Sequence, residues 1–319
     1  MPPFPSPRAG RSSRRSVLTA ALGFAAVACT EGSASPARPP QSPAPKLLPN
    51  EQRAVFPGSR LVGWCGAPGG TALGRLTGDL DPESLPASVA ESARRMLDQI
   101  APYAVPEGPQ TMPTLELIAT VATASPGADG MFRIRHSDSV VAAYLAAARS
   151  VRGLLLLNIQ PGRSSFLDEV KAYERFLREP EVGVALDPEW AVTEGKPGDE
   201  FGSTTGGDID AVAAYLADLV AQNDLPEKVL VYHQVAPAVV ASEEDLRRHD
   251  GVAIVKSVDG IGAPADKRYT WDLLMATKPD HVLPGFKLFY DEDVQTGKTL
   301  MSPQDVLALD PVPLYVMYE

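Results

Sequence analysis

The chain is poor in the residues that mark several large classes of protein. Of its 319 residues only two are cysteine and four histidine. Neither type recurs at metal-ligand spacing: His-x-His, His-Glu-x-x-His and Cys-x-x-Cys are all missing, which excludes zinc sites of the common kinds. Gly-x-Ser-x-Gly is also missing, which removes the nucleophile elbow of α/β-hydrolases. Positive charge is scarce: 29 Lys and Arg face 40 Asp and Glu, for a net charge of −11. Such a surface repels nucleic-acid phosphates and anionic headgroups, so no nucleic-acid partner is expected. The hydrophobic share of 44% and charged share of 22% are those of a globular protein, which excludes wholesale disorder and a polytopic membrane protein.

Proline and arginine are unevenly placed. Ten of the 31 prolines fall in the first 50 residues, and the first 28 carry four arginines and no acid. Residues 17–28 are an apolar run that rises only ~18 Å as a helix against ~30 Å of hydrocarbon, which marks a signal segment rather than a span. The run ends Ala26-Val27-Ala28-Cys29 and resembles the bacterial lipobox, in which the cysteine thiol receives a lipid. Ser13-Arg14-Arg15-Ser16-Val17-Leu18 resembles a twin-arginine export signal, and a general secretory signal with a basic start remains the alternative. Residues after Cys29 are rich in Pro, Ser and Ala without apolar periodicity, so they read as an extended tether. The expected organisation is a signal peptide at 1–28, a lipidated Cys29 and disordered tether at 29–57, and a domain at 58–319. With Cys29 acylated, Cys65 lacks a disulfide partner and reads as a small buried residue.

The domain alternates short branched apolar runs with amphipathic segments. Strands are expected at 60–64, 114–121, 153–159, 182–187, 228–233, 252–258, 283–290 and 313–318. Helical patterns lie at 88–100, 139–149, 166–177, 209–222, 243–249, 270–276 and 303–309. Strands returning every 30–50 residues or so through helices imply parallel pairing. The glycine-rich stretch 67–74 does not fit Gly-x-Gly-x-x-Gly, which disfavours a nucleotide-binding open sheet. The expected fold is α/β, a single (β/α)₈ TIM barrel.

Chemistry in such a barrel gathers where strands end at their carboxyl side. In Val184-Ala-Leu-Asp187-Pro-Glu189-Trp190, alternation puts Gly183, Ala185, Asp187 and Glu189 on one face. Two adjacent carboxyl groups raise each other's proton affinity and can divide into an acid and a base. The other reading is that Asp187-Pro188 ends the strand and leaves Glu189 in a solvated turn. Lys287, inside an apolar run, is costly to bury unpaired and is expected to face inward toward these acids. Lys256 and Asp259 allow the same argument with a less certain register. His233 is either a proton shuttle or a hydrogen-bonded barrel histidine. Asn158, Gln160, Arg163, Gln234, Trp190 and Tyr290 are candidate substrate contacts.

At Ala185-Leu-Asp-Pro-Glu-Trp190 the chain resembles barrel glycoside hydrolases with Asp-x-Glu at the end of strand four, secreted muramidases among them. Those enzymes also carry an acid near the end of strand one, where this chain has Val62-Gly-Trp-Cys-Gly-Ala67. The layout also resembles lipoproteins of high-GC Gram-positive bacteria. These resemblances imply a lipid-anchored extracellular protein that meets polysaccharide, with Glu189 as general acid and Asp187 as nucleophile, base or stabiliser, and no cofactor. Two alternatives remain open. One is a metal-dependent phosphodiester hydrolase with Asp187, Glu189 and Asp259 holding Ca²⁺ or Mg²⁺; the other is a non-catalytic barrel binding a glycan or partner.

Overall fold

The computed structural model describes residues 45–70, 74–295 and 299–319. The signal segment, Cys29 and the tether as far as residue 44 lie outside the described residues. Among the described residues no helix is long and apolar enough to cross a membrane.

Eight strands form the core: β1 (Ser59–Gly66), β2 (Gln110–Ala122), β3 (Leu154–Ile159), β4 (Val182–Leu186), β5 (Lys228–Gln234), β6 (Val252–Val258), β7 (Leu283–Leu288) and β8 (Tyr315–Tyr318). Each pairs in parallel with its neighbours in chain order, and β1 pairs with both β2 and β8, so the sheet closes. The chain is a single (β/α)₈ TIM barrel. Runs such as Leu154–Leu157 are buried on both faces, the signature of a parallel sheet covered by helices outside and side chains inside.

The helices are α1 (Leu85–Ile100), α2 (Asp138–Ser150), α3 (Phe166–Lys171), α4 (Glu174–Leu177), α5 (Gly206–Asn223), α6 (Pro264–Met275) and α7 (Pro303–Leu307). α1 buries Leu85, Val89, Ala93, Met96 and Ile100, a stripe at helical spacing. α5 starts at a reciprocal cap in which Thr205 and Asp208 satisfy each other's backbone N–H. The single helix expected at 166–177 divides at Tyr173, whose buried hydroxyl donates to the Ala119 carbonyl at 2.6 Å.

The helix expected at 243–249 does not form; only a 3₁₀ turn, Glu243–Asp245, is present. Glu243 instead turns its carboxylate onto the barrel wall, where it accepts from Lys256 Nζ at 2.8 Å and from the Tyr232 hydroxyl. Tyr232 and Lys256 stand opposite each other on β5 and β6. A helix through this stretch would leave the Lys256 ammonium buried without its partner, at a cost of several kcal/mol.

Residues 46–57 were expected to belong to the tether, yet they pack on the barrel. Leu48 and Val55 are buried, Arg53 reaches Asp224 at 2.8 Å and the Leu225 carbonyl at 2.7 Å, and the Glu227 carboxylate accepts from the Val55 N–H at 2.7 Å. The packed body therefore starts before Gly58.

The tightest approach between strands of the barrel falls at a glycine. Gly63 of β1 stands opposite Thr114 of β2, and a Cβ at Gly63 would lie 1.5 Å from the Thr114 carbonyl oxygen. Gly63→Ala must push the first two strands apart, and we expect a loss on the order of 3 kcal/mol or more in urea unfolding. Unfolding within 0.5 kcal/mol or so of wild type would show that the seam yields without cost.

Candidate functional site

The barrel interior is polar at its carboxyl end. Contacts between strands that are not neighbours must cross this interior, and several do. Glu116 of β2 meets His233 Nε2 of β5 at 3.2 Å and accepts from the Tyr315 hydroxyl of β8. Asn158 of β3 donates from Nδ2 to Glu116 at 2.8 Å and to Asp187 at 3.1 Å. Gln160 donates to the other Asp187 oxygen at 3.2 Å. On the far side His233 Nδ1 lies 2.8 Å from Asp259, which accepts from Ser257 at 2.8 Å and faces Lys287 at 3.6 Å. Lys287 completes the chain with Glu319 at 2.6 Å.

Strand register explains which side chains enter. Asn158 pairs with Ala185, so Ala185 and Gly183 face inward while Val184 and Leu186 pack outward. Asp187 follows as the first residue beyond β4. The extended spacing expected for Glu189 does not hold, because Pro188–Trp190 is a 3₁₀ turn. That turn folds Glu189 over the mouth, where Asp187, Asp259, His233 and Lys287 all act on its charge.

The electrostatics divide the acids. Burial opposes ionisation of Glu116, but His233, Lys287 and the Tyr315 hydrogen bond outweigh it and bring the group to about 2. Burial likewise opposes a charge on Asp259, and His233 and Lys287 again win, lowering it. For Asp187 burial prevails over His233 and Lys287, and its proton affinity rises. Glu189 is raised well above the carboxylate range, first by burial and then by Asp187 and Asp259. One of its carboxyl oxygens is shut from solvent without a hydrogen-bond partner. Burial and Lys287 oppose the charge on His233, yet Asp259, Glu116 and Asp187 lift it well above the histidine range. Neither ring nitrogen is aligned for a hydrogen bond, so the imidazolium behaves as an ion among carboxylates.

The structure thus brings together Asp187, Glu189, His233, Asp259, Lys287, Asn158 and Gln160. It does not bring in the others. Gln234, next along β5, turns its amide nitrogen to its own loop at the Ala236 carbonyl, 3.2 Å away. Arg163 is exposed, donates to the Gly195 carbonyl and lies 4.5 Å over the Phe132 ring. Tyr290 accepts from the Trp64 indole at 3.2 Å and stacks on Tyr318. Trp190 rests against the loop at Gly198. Lys256 points outward to Glu243.

Glu116 is the residue that strand reading passed over. It interrupts Thr114-Leu-Glu-Leu-Ile118 as Lys287 interrupts its own apolar strand, and the same argument would have found it. Cys65, at the end of β1, is buried and free, and burial raises its thiol well above the usual range. Among the described residues no set of three or more His, Cys, Asp or Glu side chains is placed to hold a metal ion. Asp259, one of the three ligands of the metal alternative, is engaged by His233 and Lys287.

The innermost members are sealed: Glu116 and His233 are fully buried, and Asp187 is 2% exposed. The outermost are Glu189 and Glu319, both half-buried. Two clefts of about 480 and 400 Å³ flank the loop 191–203 that leaves Trp190, and Gly202 of this loop donates to the Glu189 carbonyl at 2.7 Å.

Fold and site together define a (β/α)₈ barrel whose carboxyl-end mouth carries a carboxylate cluster gathered around His233 and Lys287. No family model matches the chain, and no curated protein matches it.

The lowered Glu116 has a readable consequence. A carboxylate depressed in the folded state contributes stability above its unfolded value near 4.5, and that contribution is lost as pH falls toward 2. Glu116→Gln should therefore lower stability at pH 6 by about 3 kcal/mol and flatten the stability profile between pH 4.5 and 2. Urea unfolding at pH 3, 4.5 and 6 measures both. An unchanged slope would mean that Glu116 is not held ionised by His233.

Proposed function

We propose that the protein is a lipid-anchored, extracellular glycosidase-like enzyme acting on envelope or environmental polysaccharide. The N-terminal sequence supports the address, through the lipobox-like Ala26-Val27-Ala28-Cys29 and the proline-rich stretch after it. One observation carries the activity: two carboxyl groups share the mouth in unequal environments, Glu189 being raised further than Asp187. Asp187 receives amide hydrogens from Asn158 and Gln160 and has the His233 cation at 3.8 Å, which offset part of the burial that raises its proton affinity and leave it the more easily ionised of the two. Glu189 has an enclosed oxygen without a donor, which favours its protonated form. That is the division of labour acetal hydrolysis needs.

In this reading the Glu189 proton passes to the glycosidic oxygen as the bond from that oxygen to the anomeric carbon breaks. Asp187 then stabilises the cationic carbon, attacks it, or takes a proton from the incoming water. His233 and Lys287 do not touch the sugar; they counter the burial of Asp187 and keep its proton affinity below that of Glu189. The loop 191–203 has to shift for a chain to reach Glu189, and the two clefts beside it leave room for that movement.

Closure of the cluster favours one other reading, a barrel that binds a glycan without cleaving it. Assay of reducing ends released from peptidoglycan and neutral glycans separates the two. Glu189→Gln should reduce kcat by roughly 10² to 10⁴-fold while ligand binding persists. Binding without turnover by the wild type would establish the non-catalytic reading. Neither binding nor turnover across the panel would overturn both.

A further inference from the structure

Among the described residues, five carboxyl groups meet in the interior, on Glu116, Asp187, Glu189, Asp259 and Glu319, and two cations, His233 and Lys287, form ion pairs with them. Both cations are already engaged. His233 lies among Glu116, Asp187 and Asp259, and Lys287 lies between Asp259 and Glu319. They are also the deeper groups: His233 is fully buried and Lys287 is 3% exposed, whereas Glu189 and Glu319 are half-buried. Among the described residues, two arginines nearer the rim are committed elsewhere, Arg163 to Phe132 and Gly195, and Arg75 to Asp291 at 2.8 Å and the Tyr290 ring. The polar atoms left over point the same way. Asn158 Oδ1 is completely buried and accepts from nothing, and so is one Glu189 oxygen. Asn158 Oδ1 and the Glu189 oxygen that does not carry the proton can only accept, so a hydroxyl or ammonium hydrogen would satisfy them and a carboxylate or phosphate oxygen brought there would meet another oxygen.

We infer that the unit bound at this mouth donates hydrogen bonds and carries no negative charge: an amino sugar is preferred, a neutral sugar is accepted, and uronate-, sulfate- or phosphate-bearing units are excluded. This rests on the glycan reading above and adds to it the charge class of the substrate. Glu319 sets the selectivity from outside, because it takes the Lys287 ammonium that would otherwise face an anionic group. It positions Lys287 and does not itself enter the chemistry.

The test uses the purified full chain and three methyl glycosides of one ring geometry: glucosaminide, glucoside and glucuronide. Binding is followed by NMR perturbation of the His233 ring resonances at low and at 0.5 M or so salt. The glucosaminide should bind about 5-fold tighter than the glucoside and the glucuronide at least about 5-fold weaker, as one charge a few ångströms from another in water predicts. The spread should narrow at high salt. Glu319→Gln should also narrow it, with the glucuronide gaining most. A glucuronide that binds as well as the glucosaminide overturns the charge assignment and leaves the glycan reading intact. An unchanged order and spread in Glu319→Gln overturns the role given to Glu319. Failure of all three sugars to perturb His233, in wild type and variant, counts against the glycan reading itself.

Discussion

The His233 imidazolium is the charge on which the interior depends. Placing several carboxyl groups inside a sheet barrel costs several kcal/mol for each ionised group unless a counter-charge is within reach. His233 lies within 4 Å of Glu116, Asp187 and Asp259, so one cation serves three acids. Its position on β5 is opposite β2, and only a closed sheet brings those two strands face to face. Closure of the barrel and ionisation of the cluster are therefore one condition: an open sheet would hold Glu116 and His233 three strand spacings apart, each without the other.

The same accounting of charge recurs outside the interior. Lys256 is fully buried in the barrel wall and answered by Glu243. Lys267 reaches Asp293 at 3.1 Å and the Gly260 carbonyl at 2.6 Å, tying α6 to the segment after β7. Lys228, at the opposite end of the barrel, forms no ion pair among the described residues; burial brings it down to about 7, and it donates to the Val182 carbonyl at 2.8 Å and to those of Glu179 and Pro180. Two ends of one barrel thus treat buried charge differently. The amino end caps a single ammonium with backbone carbonyls, while the carboxyl end assembles opposed charges that can exchange a proton. Only the second arrangement offers acid and base chemistry.

Much of the fold was legible because parallel strands covered on both faces read as continuous apolar runs, and all eight were visible as such. The expected helix at 243–249 was not there because its pattern reflects two tertiary demands, a carboxylate for Lys256 and a hydroxyl partner for Tyr232, rather than an amphipathic surface. The site was legible in part. Asp187, Lys287 and His233 each stand out as polar residues in apolar strands. Glu116 carries the same mark but lies midway along the unusually long β2, away from the strand ends where barrel chemistry is expected. Arg163, Gln234 and Tyr290 were chosen by position in the chain, and local contacts turn each of them aside.

The sequence by itself determined the alternation of strand and helix, the excess of acid, and the presence of a carboxyl pair after the fourth strand, because these follow from composition and from periodicities of about 2 and 3.6 residues. Only the tertiary structure decided which acids are ionised. Proton affinity depends on the distance to charges that come from β2, β5, β6 and β7, and no local pattern encodes a distance across a barrel.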